Sequence, residues 1–213
     1  MKRYEPIAVS AESTVVAEFV PDAATATAYQ SEAELEQTFL ELLQAQAYAY
    51  LPITSEADLI ANLRTQLEAL NAMTFSDTEW PRFFHGQIAG TNEGIVDKTL
   101  RIQEDYVQVL RRDDGSTKNV LLIDKTHLHN NRLQVINQYA IGPTGGATHG
   151  NRYDVTILVN GLPLVHVELK CRGVDLRESF HQIDRYQRES FWAGSGLFEY
   201  VHIFVISNGT LTK

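Results

Sequence analysis

The sequence predicts an α/β fold, a sandwich of helices around a mixed sheet, and three observations lead there. Between residues 31 and 71 apolar residues recur at helical spacing. After about residue 100 the chain changes to short apolar runs separated by turn residues. The final third reads strand–helix–strand. Helices, then strands, then a strand–helix–strand unit make an α/β sandwich.

The elements follow in order. The first 25 or so residues are rich in Ala, Thr, Ser and Val without a clear period, and read as an irregular or weakly β arm, residues 1–27, ahead of one domain over 28–213. Ser31 precedes a helix through about Ala47, with Glu34 as its capping-box partner. Leu35, Phe39, Leu42 and Leu43 make its apolar stripe. A second helix runs from about Ser55 to Asn71 on Leu59, Ile60, Leu63, Leu67 and Leu70, and a short one surrounds Trp80 and Phe84. "IQEDYVQVL" and "NVLLID" read as strands joined through Asp114-Gly115, and "RLQVINQYA" as another. "IGPTGGATHGN" is Gly-rich but lacks the Lys-Ser/Thr ending of a phosphate-binding loop. After the hairpin of residues 152–172 come a helix over about Val174–Phe191 and the strand "YVHIFVIS".

Composition narrows the class. Of 213 residues, 44% are hydrophobic, enough for a packed core, and no run approaches the ~20 apolar residues of a membrane span. The N-terminus lacks a signal peptide's apolar core, and the single Cys171 excludes an internal disulfide. A cytoplasmic protein with no membrane partner is expected. The net charge of −9 is uneven: residues 1–80 hold 13 acids against 3 bases, and residues 81–213 hold 14 against 15. The acidity is therefore N-terminal, and a nucleic-acid surface in the C-terminal part stays open.

The stretch "RYDVTILVNGLPLVHVELKCR" carries the chemistry. Asn160-Gly161 separates two apolar runs, a strong hairpin signal. Asp154 opens the first run, and Glu168 and Lys170 close the second. Side chains alternate along a strand, so Val155, Ile157 and Val159 share one face, as do Val165, Val167 and Leu169. A two-residue turn pairs Val159 with Leu162 and hence Asp154 with Val167, which mismatches the apolar faces. A three-residue loop with Gly161 left-handed, or an equivalent bulge, restores the match, and the irregularity is expected at Asn160-Gly161. Asp154 then shares a face with His166, Glu168 and Lys170.

Two carboxylates suit Mg²⁺, a hard cation that prefers oxygen ligands, and a lysine can orient a water or balance developing charge. Hydrolysis of a phosphodiester is the matching reaction. The alternative is a lysine–carboxylate cluster at a sheet edge that catalyses nothing. His166 reads as a packed histidine. His127 and His129 have strand spacing for a metal pair but no third ligand nearby.

In the following helix Gln182 and Tyr186 are four apart, on one helical face. Asp154, Glu168-Leu169-Lys170 and Gln182-x3-Tyr186 together resemble the PD-(D/E)xK nucleases. More specifically, "NRYDVTILVNGLPLVHVELK", "ESFHQIDRYQRESF", "FVISNGT", "DKTLRI", "LLIDK" and "YQSEAELE" resemble the N-terminal endonuclease domain of the R subunit of type I restriction-modification enzymes, over most of residues 28–210. Tyr153 stands where the superfamily's name has Pro. The resemblance implies a restriction-endonuclease-like α/β/α sandwich. It makes Asp154 and Glu168 the Mg²⁺ ligands and Lys170 the catalytic lysine, with Gln182 and Tyr186 supporting them. A further acid comes from the first helix, Glu32 in preference to Glu36. It also implies duplex DNA as substrate, with ATP-driven helicase motor domains and methyltransferase (M) and specificity (S) subunits as partners; ATP belongs to the motor, and this chain reads as a fragment of a larger subunit. Arg152, Arg172, Arg177, Arg185 and Arg188 are candidate DNA contacts, countered by nearby acids. Two other readings stand beside this one: a non-catalytic nuclease-fold module that docks the motor or DNA, and a repair or recombination nuclease of the same fold.

Overall fold

A computed structural model describes residues 3–9, 15–20, 31–90, 92–141, 151–171, 181, 186 and 195–213, the first two stretches as backbone alone. The arm forms an antiparallel pair, β1 (Arg3–Val9) with β2 (Val15–Val20). Helix α1 (Glu32–Ala45) begins with the expected capping box. The Ser31 hydroxyl accepts from the Glu34 N–H at 3.2 Å, and Glu34 accepts from the Ser31 N–H at 2.9 Å. Its buried stripe is turned towards Leu40 and Leu43, with Leu35 and Phe39 partly buried. Leu42, expected in the stripe, falls at its edge and is 52% exposed.

After the short β3 (Ala49–Tyr50) comes α2 (Glu56–Leu70), capped by Ser55 and burying Leu59, Leu63 and Leu67. Helix α3 (Glu79–Phe83) widens into a π turn over Phe84–Ile88 and buries Trp80, Phe83 and Phe84. Helix α4 (Ile95–Gln103) takes the Ile102-Gln103 that the sequence assigns to a strand. Ile102 is the buried anchor of that helix, and the strand β4 (Val107–Arg111) starts only at Val107. β4 pairs with β5 (Thr117–Leu121) through the expected turn, where Gly115 has φ +85°.

The central sheet is mixed, in the order β3, β6 (Leu133–Ile141), β7 (Asn151–Val159), β8 (Leu162–Leu169), β9 (Ile203–Ser207). β6–β7 and β7–β8 are antiparallel, while β3–β6 and β8–β9 are parallel. β9 starts later than expected because Leu197–Tyr200 form a 3-10 turn, whose Tyr200 hydroxyl donates to the Ile88 carbonyl. The larger core joins α2 and α3 to Ile136, Leu158, Leu162 and Leu164 of the sheet. A smaller one sets Leu40 and Leu43 of α1 against Val135, Val155, Val167 and Leu169.

The hairpin corrects one expectation. Asn160 (φ +52°) and Gly161 (φ +84°) form a regular two-residue turn, and Val159 pairs with Leu162. The irregularity lies three residues into β8: Leu158 faces Pro163 and Ile157 faces Val165, leaving Leu164 as the extra residue. Pro163 has no N–H to give the ladder, which favours a bulge beside it. The turn is fixed from outside. The Asn160 amide donates to the Leu122 carbonyl at 3.0 Å and to Asn131 Oδ1 at 2.8 Å, and its oxygen accepts from the Arg132 N–H at 2.8 Å.

Candidate active site

The bulge aligns the two strands as the apolar faces require. Val155 sits opposite Val167, and both enter the smaller core with Leu169. The residues next to them, Asp154 and Glu168, fall in step at the open end of the hairpin. The Leu169 N–H donates to Asp154 Oδ2 at 2.9 Å. Lys170 Nζ donates to Glu168 Oε1 at 2.9 Å, and the Lys170 backbone N–H is held by the Ser207 carbonyl at the end of β9. Asp154, Glu168 and Lys170 are thus brought together by three adjacent strands.

The electrostatics are those of crowded negative charge. Glu168 is fully buried, and its Oε2 meets no hydrogen-bond donor among the described residues. Burial, and then the charge of Glu168, push the Asp154 carboxyl up to about 7; the Leu169 N–H and Lys170 only partly oppose them, and Glu36 adds repulsion. Burial pulls the Lys170 ammonium down. The hydrogen bond and charge of Glu168, with Asp154 and Glu32, outweigh it, so Lys170 is held above its ordinary range.

A pocket of about 460 Å³ opens between the first turns of α1 and the start of β7. Glu32, Glu36, Gln138, Arg152, Asp154 and Leu169 are on its wall. Glu32 accepts from the Cys171 N–H at 3.2 Å, tying the helix start to the strand end that carries Lys170. Glu36 accepts from Asn137 Nδ2 at 2.6 Å and from Gln138 Nε2. Both acids of the first helix therefore face the site, Glu36 the more buried of the two. Arg152 is exposed at the pocket, two residues before Asp154.

Behind the carboxylates lies an aromatic wall. Tyr186, 1% exposed, donates its hydroxyl to the Arg152 carbonyl at 2.9 Å, fixing the backbone just ahead of Asp154. Tyr153 packs edge-on against Tyr186 (4.9 Å) and His166 (5.3 Å). His166 is fully buried with Nε2 3.4 Å from Glu168 Oε2, so it packs as expected while also facing the acid. Gln182, Arg172, Arg177, Arg185, Arg188 and the Gly-rich loop lie outside the described residues, as does the predicted helix apart from His181 and Tyr186, which are helical.

Two residues at the site go unnoticed in the sequence, Asn137 and Gln138. Their signal is "VINQYA", a polar pair inside an otherwise apolar strand. Elsewhere, the His127 and His129 rings meet edge-on at 6.1 Å, and no group of three or more His, Cys, Asp or Glu suited to a metal occurs among the described residues. Lys98 of "DKTLRI" is structural: 1% exposed, it donates to the Gly196 carbonyl and to Glu199, both at 2.8 Å. That anchors the end of "FWAGSGLF" to α4.

The family model described as type I restriction enzyme R protein N terminus matches residues 29–213. The chain is 44% identical over 210 residues to the Escherichia coli type I restriction enzyme EcoprrI endonuclease subunit, covering 98% of this chain and 66% of that one. It is 37% identical over 190 residues to the SsaAORF53P endonuclease subunit of Staphylococcus saprophyticus, covering 87% of this chain and 19% of that one. With the Haemophilus influenzae HindI endonuclease subunit it shares 31% over 137 residues, 59% of this chain and 12% of that one. The chain thus spans from about an eighth to two thirds of these relatives. Among the described residues no helix is long and apolar enough to cross a membrane.

Proposed function

The chain belongs to the type I restriction enzyme R protein N-terminal family, and from that premise we propose that its hairpin site is a Mg²⁺-dependent endonuclease centre acting on duplex DNA. The observation that carries the reading is the under-compensated pair of a half-buried Asp154 and a fully buried Glu168, with Lys170 hydrogen-bonded to Glu168. Replacing such a cluster with apolar residues is usually no loss to stability, so its presence calls for a use.

The donor set fits a hard divalent cation. Asp154 and Glu168 would hold it through carboxylate oxygens, and waters or phosphate oxygens would complete the shell. When bound, the cation supplies Lewis acidity to the phosphodiester and lowers the pKa of a water. Lys170, kept protonated by its acidic neighbours, orients a water or offsets charge growing on the phosphate. Arg152 lies where it can meet a DNA phosphate entering the pocket. Tyr186 holds the start of β7 so that Asp154 keeps its position, and Gln182, four residues before it in the sequence, is assigned to the same support by the family resemblance alone. Cleavage in this reading is coupled to an ATP-driven translocase elsewhere in the subunit, with M and S subunits choosing the site, in the bacterial cytoplasm.

Calorimetric titration of Mg²⁺ into the chain tests the reading. Binding in the wild type that disappears in Asp154→Asn and in Glu168→Gln supports it. Equal binding by all three proteins refutes it.

A further inference from the structure

Gln138 sits on β6 at the position that faces Asp154 on β7, and its backbone is left-handed, φ +52°. The ladder pairs Asn137 with Val155 and Tyr139 with Tyr153 but skips Gln138 and Asp154 between them. Pairing resumes in the same register, so no residue is inserted. What changes is the side each chain presents. Val135 and Val155 enter the smaller core, while Tyr139 and Tyr153 enter the larger one, although strict alternation would keep all four together. A left-handed non-glycine backbone is strained and persists where something else requires it.

The side chain shows what that is. A carboxylate only accepts, so the amide nitrogen of Gln138 must be the group that faces Glu36. Its Oε1 then turns away, buried, and meets no donor among the described residues. Asn137 grips the other oxygen of Glu36 and is itself held by the Tyr50 hydroxyl at 2.9 Å. Glu36 is thereby clamped on the wall it shares with Asp154.

We propose that Gln138 is a positioning residue of the nuclease site: it fixes Glu36 beside Asp154, and Glu36 so held supports the cation's outer shell. The proposal rests on the function proposed above. Outer-shell partners of this kind change metal affinity by about 10–100-fold when removed.

The test uses Gln138→Gly, because glycine relieves the left-handed backbone while deleting the amide. Mn²⁺ binding to the chain is measured by electron paramagnetic resonance, with melting temperature alongside. Gln138→Gly should melt at or above the wild-type temperature yet bind Mn²⁺ at least about tenfold more weakly. Glu36→Gln should weaken binding similarly, and the double variant no further, since the two act as a unit. Wild-type affinity in Gln138→Gly, an affinity loss that only follows a drop in melting temperature, or additive effects of the two substitutions would each overturn the proposal. Asp154→Ala separates this from the reading beneath it. If Asp154→Ala abolishes Mn²⁺ binding while Gln138→Gly leaves it intact, the positioning role alone fails; if Asp154→Ala binds normally, both fail.

Discussion

The backbone N–H of Leu169 donates to the carboxylate of Asp154 at 2.9 Å, so the strand carrying Glu168 and Lys170 is locked to the acid on the strand beside it. That bond exists because the bulge at Leu164 advances β8 by one residue. Without it Asp154 would face Val167, and the charges would fall on opposite sides of the sheet.

The first prediction concerns pH. Asp154 holds its proton more tightly folded than unfolded, with a folded pKa near 7 against an ordinary 3.8. In that window the folded state binds more protons, so ionisation of Asp154 costs stability as pH rises from about 4 to 7, and the cost is complete above 7. In a chelator, Asp154→Asn should melt with the wild type at pH 4 and above it at pH 8, by about 2–4 °C for each kcal/mol recovered. Thermal melts at the two pH values check this, and a difference that shrinks with rising pH contradicts it.

A second prediction follows from the turn. A Cβ on Gly161 would lie 2.6 Å from Leu63 Cα, and φ is +84° there. Gly161→Ala should therefore cost on the order of 2–4 kcal/mol. Urea unfolding measures it, and because the clash pushes the hairpin from α2, the loss should exceed that of Gly115→Ala, where a Cβ meets nothing within 4 Å at a similar φ.

Tyr186 gives a third. Tyr186→Phe keeps the ring packed on Tyr153 but leaves the Arg152 carbonyl without its hydroxyl. A stability loss of about 1–3 kcal/mol is expected. In the assembled enzyme DNA cleavage should slow while ATP hydrolysis is unchanged, because the affected backbone leads directly to Asp154.

Much of this was readable from residue order. Ser31 and Glu34 announce the start of α1, and the apolar periods of α2 and the hairpin strands place their cores. The need for an odd residue in the hairpin follows from its two apolar faces, but not its position: Asn-Gly satisfies its own turn, and only the missing N–H of Pro163 hints that the slip comes at Leu164. The short α4 was hidden because Ile102 serves a helix end as well as it would a strand. Gln138 was hidden for a different reason. Its backbone twist and its grip on Glu36 come from two segments about a hundred residues apart in sequence, and nothing local requires either.

Asp154, Glu168 and Lys170 are proposed to form one nuclease centre. The most direct test places Asp154→Ala, Glu168→Ala and Lys170→Ala singly in a full-length R subunit carrying this domain, assembled with the M and S subunits proposed above, and measures plasmid cleavage beside ATP hydrolysis. Each variant should lose cutting by at least about a hundredfold while hydrolysing ATP at the wild-type rate. Unimpaired cutting by all three would rule that centre out.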